Sequence, residues 1–71
     1  MPPVRFGLIG YGAWGAHHAR AISQVPGAAL AAICARSDAG RRQAQTEHPE
    51  ARLYADYREM LAAEQLDAAD V

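Results

Sequence analysis

Apolar and polar positions alternate along this chain in blocks whose period changes at each glycine or proline. Val4-Arg5-Phe6-Gly7-Leu8-Ile9 reads as a short buried strand, its apolar core running from Phe6 to Ile9. After a glycine-rich turn, Ala16, Ala19, Ile22 and Val25 recur at helical spacing, so a helix is expected over Ala13 to Val25. Pro26 stops that helix, and Gly27 turns the chain into an apolar run, Ala28 to Cys34, that reads as a second strand. Ser37 and Asp38 are suited to cap a second helix, Ala39 to about Glu47. His48-Pro49-Glu50 breaks it, and Arg52-Leu53-Tyr54 makes a short third strand. Asp56 and Glu59 stand at capping-box spacing ahead of a third helix ending near Glu64. Its expected buried face is Tyr57, Met60, Leu61 and the nearby Leu66. Leu66 to Val71 reads as the opening of a further strand.

The order βαβαβα followed by the start of a strand predicts an α/β fold, a doubly wound parallel sheet. Right-handed crossovers would put a ligand at the carboxyl ends of the strands. At 71 residues the chain is expected to be the amino-terminal part of a larger fold, residues 1–71 forming part of one dinucleotide-binding domain. A core this small seldom contributes more than roughly 3–5 kcal/mol.

The turn between the first strand and helix carries the chemistry. In Gly10-Tyr11-Gly12-Ala13-Trp14-Gly15, Gly10 permits the tight strand-to-helix turn. Gly12 removes the side chain that would keep a pyrophosphate off the backbone, and Gly15 lets the helix pack close to the strand. The first amides of the helix, those of Ala13 and Trp14 above all, then face the phosphates with the helix dipole behind them. A glycine-rich turn that packs tightly and binds nothing is the alternative. P-loop, zinc and EF-hand readings fail, because neither a Gly-Lys-Ser/Thr sequence nor the ligand spacing occurs.

The residues after the second strand choose between cofactors. In NAD-binding turns an acidic residue about 20 positions past the glycines accepts from the adenosine ribose. Counted from Gly15 that position is Ala35, followed by Arg36 and Ser37. A carboxylate would repel a 2′-phosphate by about 1 kcal/mol in water and about 4 kcal/mol in a partly buried setting. Here a guanidinium able to pair with phosphate or stack on adenine, and a hydroxyl able to donate, reverse that preference. Arg41, one turn along, can add charge. NADP is therefore expected over NAD, with cofactor-binding residues Gly10, Tyr11, Gly12, Ala13, Trp14, Gly15, Arg36, Ser37 and Arg41. The alternative makes Arg36 a solvated loop residue and Ser37 a helix cap only, with Asp38 as the one nearby acid for a ribose.

Composition narrows the field. The chain is 51% hydrophobic and 21% charged with a net charge of -1, so no basic field exists to attract nucleic acid. The longest apolar run, Ala28 to Ala35, is far short of the roughly 20 residues of a membrane span. Met1 to Arg5 enter a strand at once and do not resemble a secretory signal, and the one cysteine fits a reducing environment, so a cytoplasmic location is expected.

The residues Val4 to Gly15, His18, Pro26-Gly27-Ala28, Tyr54-Ala55-Asp56-Tyr57 and Leu61 resemble the amino terminus of the Gfo/Idh/MocA oxidoreductases. The resemblance implies an NAD(P)-binding Rossmann domain. It also implies a second α/β domain that covers the substrate and forms the interface of a homo-oligomer. It implies hydride transfer between nicotinamide and a hydroxyl carbon of a sugar, cyclitol or diol. The family's catalytic lysine, in a Glu-Lys-Pro motif, has no counterpart, since all seven basic residues are arginine. The Thr-Pro that follows the family's fourth strand is also missing. Ala35-Arg36-Ser37 resembles the NADP-using members.

No catalytic residue is therefore expected within the chain. His17 and His18 are adjacent, so on a helix they diverge by about 100° and suit no common metal. His18 is expected to pack or orient the loop, and Trp14 to pack more than to stack on a cofactor. Cys34 reads as a small buried hydrophobe, and Glu64, Asp67 and Asp70 as a solvated helix end and loop. A nucleotide-sensing module without chemistry, an inactive truncated product, and another reductase family with the same opening remain open alternatives.

Overall fold

The computed structural model describes residues 3–70, apart from the side chains of Ala13, Trp14 and Asp70. The elements are β1 (Val4–Ile9), α1 (Ala13–Ser23), β2 (Ala28–Cys34), α2 (Asp38–Glu47), β3 (Arg52–Tyr54), α3 (Tyr57–Ala63) and β4 (Ala68–Asp70). The four strands form one parallel sheet in the order β3-β2-β1-β4. The doubly wound α/β expectation holds, and the segment after Leu66 does pair with β1 as a strand. Val71 lies outside the described residues.

Side chains from the two faces of the sheet build two cores. Leu8, Leu30 and Ile33 pack with Ala19 of α1 and Ala44 of α2, joined by Ile22, Leu53 and Tyr11. On the opposite face Ala32 and Cys34 meet Met60 of α3, with Ile9, Tyr54 and Leu66 around them. Gly7 makes this second contact possible, since a Cβ there would stand 2.5 Å from Leu66 Cδ1. Leu30 and Ile33 are three residues apart, yet a strand alternates faces every two. A β-bulge resolves this: Phe6 pairs with Leu30 and Gly7 with Ala32, leaving Ala31 as the extra residue.

Three boundaries and faces differ from the sequence expectation. α1 ends at Ser23 instead of Val25, and Val25 is 53% exposed. Pro26 disfavours helical dihedrals at the residue before it, so the helix closes in a tighter turn, Val25 N–H donating to Ile22 O at 3.2 Å. On α3 only Met60 is buried, while Tyr57 and Leu61 are about half exposed. The seven-residue helix lies on β2 and β3, and its Tyr57–Leu61 stripe turns away from them. Val4 and Arg5 at the start of β1 are also exposed.

Glu64 is the third correction. It was expected in solvent, but it is buried at 8% exposure. Its carboxylate accepts from Arg5 Nη2 at 3.0 Å and from the Tyr54 hydroxyl at 2.5 Å. Arg5 also donates from Nε to Gln65 O at 2.8 Å, and its amide donates to Asp67 Oδ2 at 2.8 Å. Together these bonds fasten the α3–β4 connection to the first residues of β1. A buried carboxylate is tolerated when such partners replace its water.

Candidate nucleotide-binding site

Gly10 closes β1 with its amide donating to Cys34 O at 2.8 Å, and then reverses the chain at φ +97°, a conformation that side chains rarely adopt. Gly12 is the N-cap of α1, in extended backbone, and no side chain caps the helix there. The first intrahelical bond runs from Ala16 N–H to Gly12 O at 2.9 Å. By helix geometry the amides of residues 13–15 therefore project forward without an intrahelical acceptor.

The three glycines sit in three different surroundings. A Cβ on Gly15 would lie 2.2 Å from Gly10 O and 2.9 Å from Gly10 C, so only glycine lets α1 sit against the turn. A Cβ on Gly12 would meet nothing within 4 Å. That open space in front of three forward-facing amides is the shape an anionic pyrophosphate needs, and α1 carries no acidic residue in its first turn.

Beside the turn lies a cleft of about 380 Å³, at the carboxyl ends of the strands. Ile9 and Gly10 form one wall, Cys34 and Arg36 the second, and Ala55 to Arg58 of the β3–α3 loop the third. A larger hollow of about 760 Å³ is lined by Arg5, Ala28 to Ala31 and Glu64. It lies at the other end of β1 and β2, away from the glycine turn, and has no part in this site.

Ala35, the counted position of the ribose acid, is buried, and its amide donates to Tyr54 O at 2.8 Å. Arg36 is exposed and lines the cleft, and no hydrogen bond or ion pair engages its guanidinium among the described residues. Ser37 caps α2, its Oγ accepting from Gly40 N–H at 2.9 Å. Its hydroxyl proton is left to donate elsewhere. Arg41 turns back on the β2–α2 turn, donating to Ala35 O at 2.7 Å and Arg36 O at 3.1 Å and pairing with Asp38. It thus braces the backbone that presents Arg36, and Asp38 is engaged by the same guanidinium.

Tyr11 points its ring away from the cleft. Its hydroxyl donates to Glu47 at the end of α2, and the ring meets His48 edge-on with centroids 6.3 Å apart. Burial, then the Glu47 carboxylate, push its pKa up to about 12. Only the backbone of Tyr11 is left to face a ligand at the turn. The stacking or packing role considered for the Trp14 side chain lies outside the described residues, as does the side chain of Ala13.

The sequence reading missed the third wall. Asp56 caps α3, accepting from Arg58 N–H at 2.9 Å, and holds the Arg58 guanidinium through both carboxylate oxygens. The Arg58 side chain, then its amide, hold the Asp56 carboxyl below its usual range. The available signal was topological: β3 runs parallel to β2, so the loop after it reaches the same edge of the sheet. Cys34 is buried in the cleft floor, and burial raises its thiol pKa, which keeps it protonated and inert. No group of three His, Cys, Asp or Glu side chains is placed to hold a metal among the described residues. None of the described helices is long and apolar enough to cross a membrane.

Comparison with known proteins agrees with this geometry. A family model described as an oxidoreductase family with an NAD-binding Rossmann fold matches residues 4–71. Inositol 2-dehydrogenase 2 of Paenarthrobacter aurescens (strain TC1) is 39% identical over 69 residues, covering 97% of this chain. The crystal structure of myo-inositol 2-dehydrogenase from Lactobacillus plantarum superposes with a TM-score of 0.85 at 32% identity over 94% of this chain. The chain spans 20% of the length of each of these relatives.

Proposed function

This chain belongs to the Gfo/Idh/MocA oxidoreductase family, and on that premise we propose that it is the nucleotide-binding portion of an NADP-dependent oxidoreductase. Its substrate class is a hydroxyl or carbonyl carbon of a sugar, cyclitol or related diol, a reading supported by the inositol dehydrogenases it resembles. The bound nicotinamide would supply the hydride acceptor or donor. The chain's own residues hold the nucleotide: the amides of Ala13, Trp14 and Gly15 take the pyrophosphate, with Gly12 leaving room for it. Substrate positioning and proton transfer from the hydroxyl need groups outside these residues.

The observation that carries the choice of NADP is Arg36, exposed on the cleft wall with its guanidinium unengaged among the described residues. Two features support it. Ala35 gives the ribose no carboxylate, and Asp38 is held by Arg41. Ser37, while capping α2, keeps a hydroxyl proton for a phosphate oxygen. A second reading, NAD, has one observation in its favour: the Asp56 carboxylate lines the same cleft. That carboxylate is already shared between the Arg58 amide and guanidinium.

Fluorescence titration of the protein with NADPH and NADH tests the choice. We expect tighter NADPH binding, and R36A should weaken it by at least about tenfold, the scale of one charge-assisted hydrogen bond, while leaving NADH unchanged. Tighter binding of NADH would overturn the NADP assignment.

A further inference from the structure

We propose that Tyr11 is a positioning residue that fastens the phosphate-binding turn to α2, holding the pyrophosphate and adenosine halves of the site in one fixed relation. The proposal rests on the nucleotide-binding reading of the turn and not on the choice between NADP and NAD.

Between Gly10 and Gly12, Tyr11 supplies the one side chain. Glycine backbones lose more freedom on ordering than any other, so a Gly-Tyr-Gly turn needs an external anchor to keep its amides aimed. The phenol donates to Glu47, the last residue of α2. Its ring packs edge-on against His48, the buried C-cap of that helix. His48 is itself fixed: its amide donates to Ala44 O at 2.7 Å, its carbonyl accepts from Ala51 N–H at 3.1 Å, and Nδ1 stands 3.7 Å from Glu50 Oε1.

The turn also faces the other end of α2. Tyr11 O lies 3.5 Å from where a Cβ on Gly40 would stand. Gly40 is the residue whose amide donates to Ser37. Tyr11 therefore faces the first turn of α2, which follows Arg36 and Ser37, with its carbonyl and holds the last residue, Glu47, with its phenol, Gly40 and Glu47 lying about 10 Å apart along the axis. Were this anchor cut, the turn would sample arrangements in which its amides no longer face a pyrophosphate. The apparent affinity falls by the fraction of molecules still in the competent arrangement.

The test uses Y11F, E47A and the double variant in the full-length protein, with E47Q as the conservative variant that keeps an acceptor. NADPH, which spans both halves, is compared with 2′-AMP, which reaches only the Arg36 end. We expect Y11F and E47A each to raise the NADPH Kd about fivefold, the scale of one hydrogen bond, with 2′-AMP unchanged. The double variant should lose no more than either single one, because both remove the same bond, and E47Q should restore most of the affinity. Unchanged NADPH binding, additive losses, or an equal loss for 2′-AMP would each overturn the proposal, the last pointing to general loosening of the fold. Wild-type protein that binds neither nucleotide would overturn the nucleotide reading and the anchor with it. Wild-type preference for NADH would overturn the NADP choice alone, and the same variants are then read with NADH and AMP.

Discussion

The amino terminus of α1 and those of α2 and α3 solve the same problem in opposite ways. Every helix begins with forward-pointing amides that lack intrahelical acceptors. α2 fills that need from its own sequence, with Ser37 as the cap and Asp38 in the first turn. α3 does the same with Asp56 and Glu59. α1 has Gly12 at the cap, no side-chain acceptor and no acid in its first turn. Glycine at a cap falls short of serine or aspartate by a few tenths of a kcal/mol, so α1 forgoes some local stability that its neighbours take. What it keeps is an open, positively polarised end at the mouth of a cleft. On the proposed reading, the position of the three that gives up a cap is the one where the nucleotide completes the structure.

The strongest way to break this comparison is to push α1 off its turn. G15V places side-chain carbon within 2.2 Å of the Gly10 carbonyl oxygen, a backbone atom that cannot step aside. Overpacking of this kind costs about 1–3 kcal/mol or more, a large part of what so small a core provides. Loss of the cooperative thermal melt, or a sharply lowered one, together with lost nucleotide binding, is the expected outcome.

Next in size is G12D, which makes α1 resemble its neighbours. Gly12 has extended backbone and free space around it, so aspartate fits, caps the helix and complements its dipole. Stability should rise by a few tenths of a kcal/mol. The same carboxylate repels pyrophosphate by about 1–4 kcal/mol, according to how wet the site is, and the Kd should rise between about fivefold and nearly a thousandfold. Thermal melts and titrations moving in opposite directions would confirm that α1 trades stability for binding. Movement in the same direction would refute it.

S37A should cost about 1 kcal/mol, read as a fall in Tm of about 4–8 °C. Asp56 gives the smallest and most specific effect. Its carboxyl pKa is lowered in the folded protein by Arg58. Its contribution is therefore fully present above the unfolded value near pH 4 and is lost as pH falls through the lowered native value. Denaturant melts from pH 5 to pH 2 should show part of that acid limb disappear in D56N. The Ser37 cap, which does not titrate, should add nothing to it.

Much of this site is legible in the chain because its parts are local. The spacing of Gly10, Gly12 and Gly15, the stop at Pro26-Gly27 and the caps at Ser37 and Asp56 each act within a few residues of themselves. They fix the element order and place the glycine turn. The ends of α1 and α3 are off by one or two residues, where Pro26 and the short helix length intervene.

What the sequence determined by itself is therefore the alternation of strand and helix, the glycine turn with its forward-facing amides, and the missing acid at Ala35. The tertiary structure decided the rest. The bulge at Ala31 puts Leu30 and Ile33 on one face, which no two-residue period shows. The β3–α3 loop brings Asp56, Tyr57 and Arg58 to the cleft, and Tyr11 finds Glu47 thirty-six residues away. Glu64 is buried because Arg5, fifty-nine residues earlier, comes to meet it. The physical reason is one of range. Backbone dihedrals and caps are set by neighbours in the chain. Which side chains share a pocket depends on strand order and register, and these are fixed only when the two cores close on the sheet.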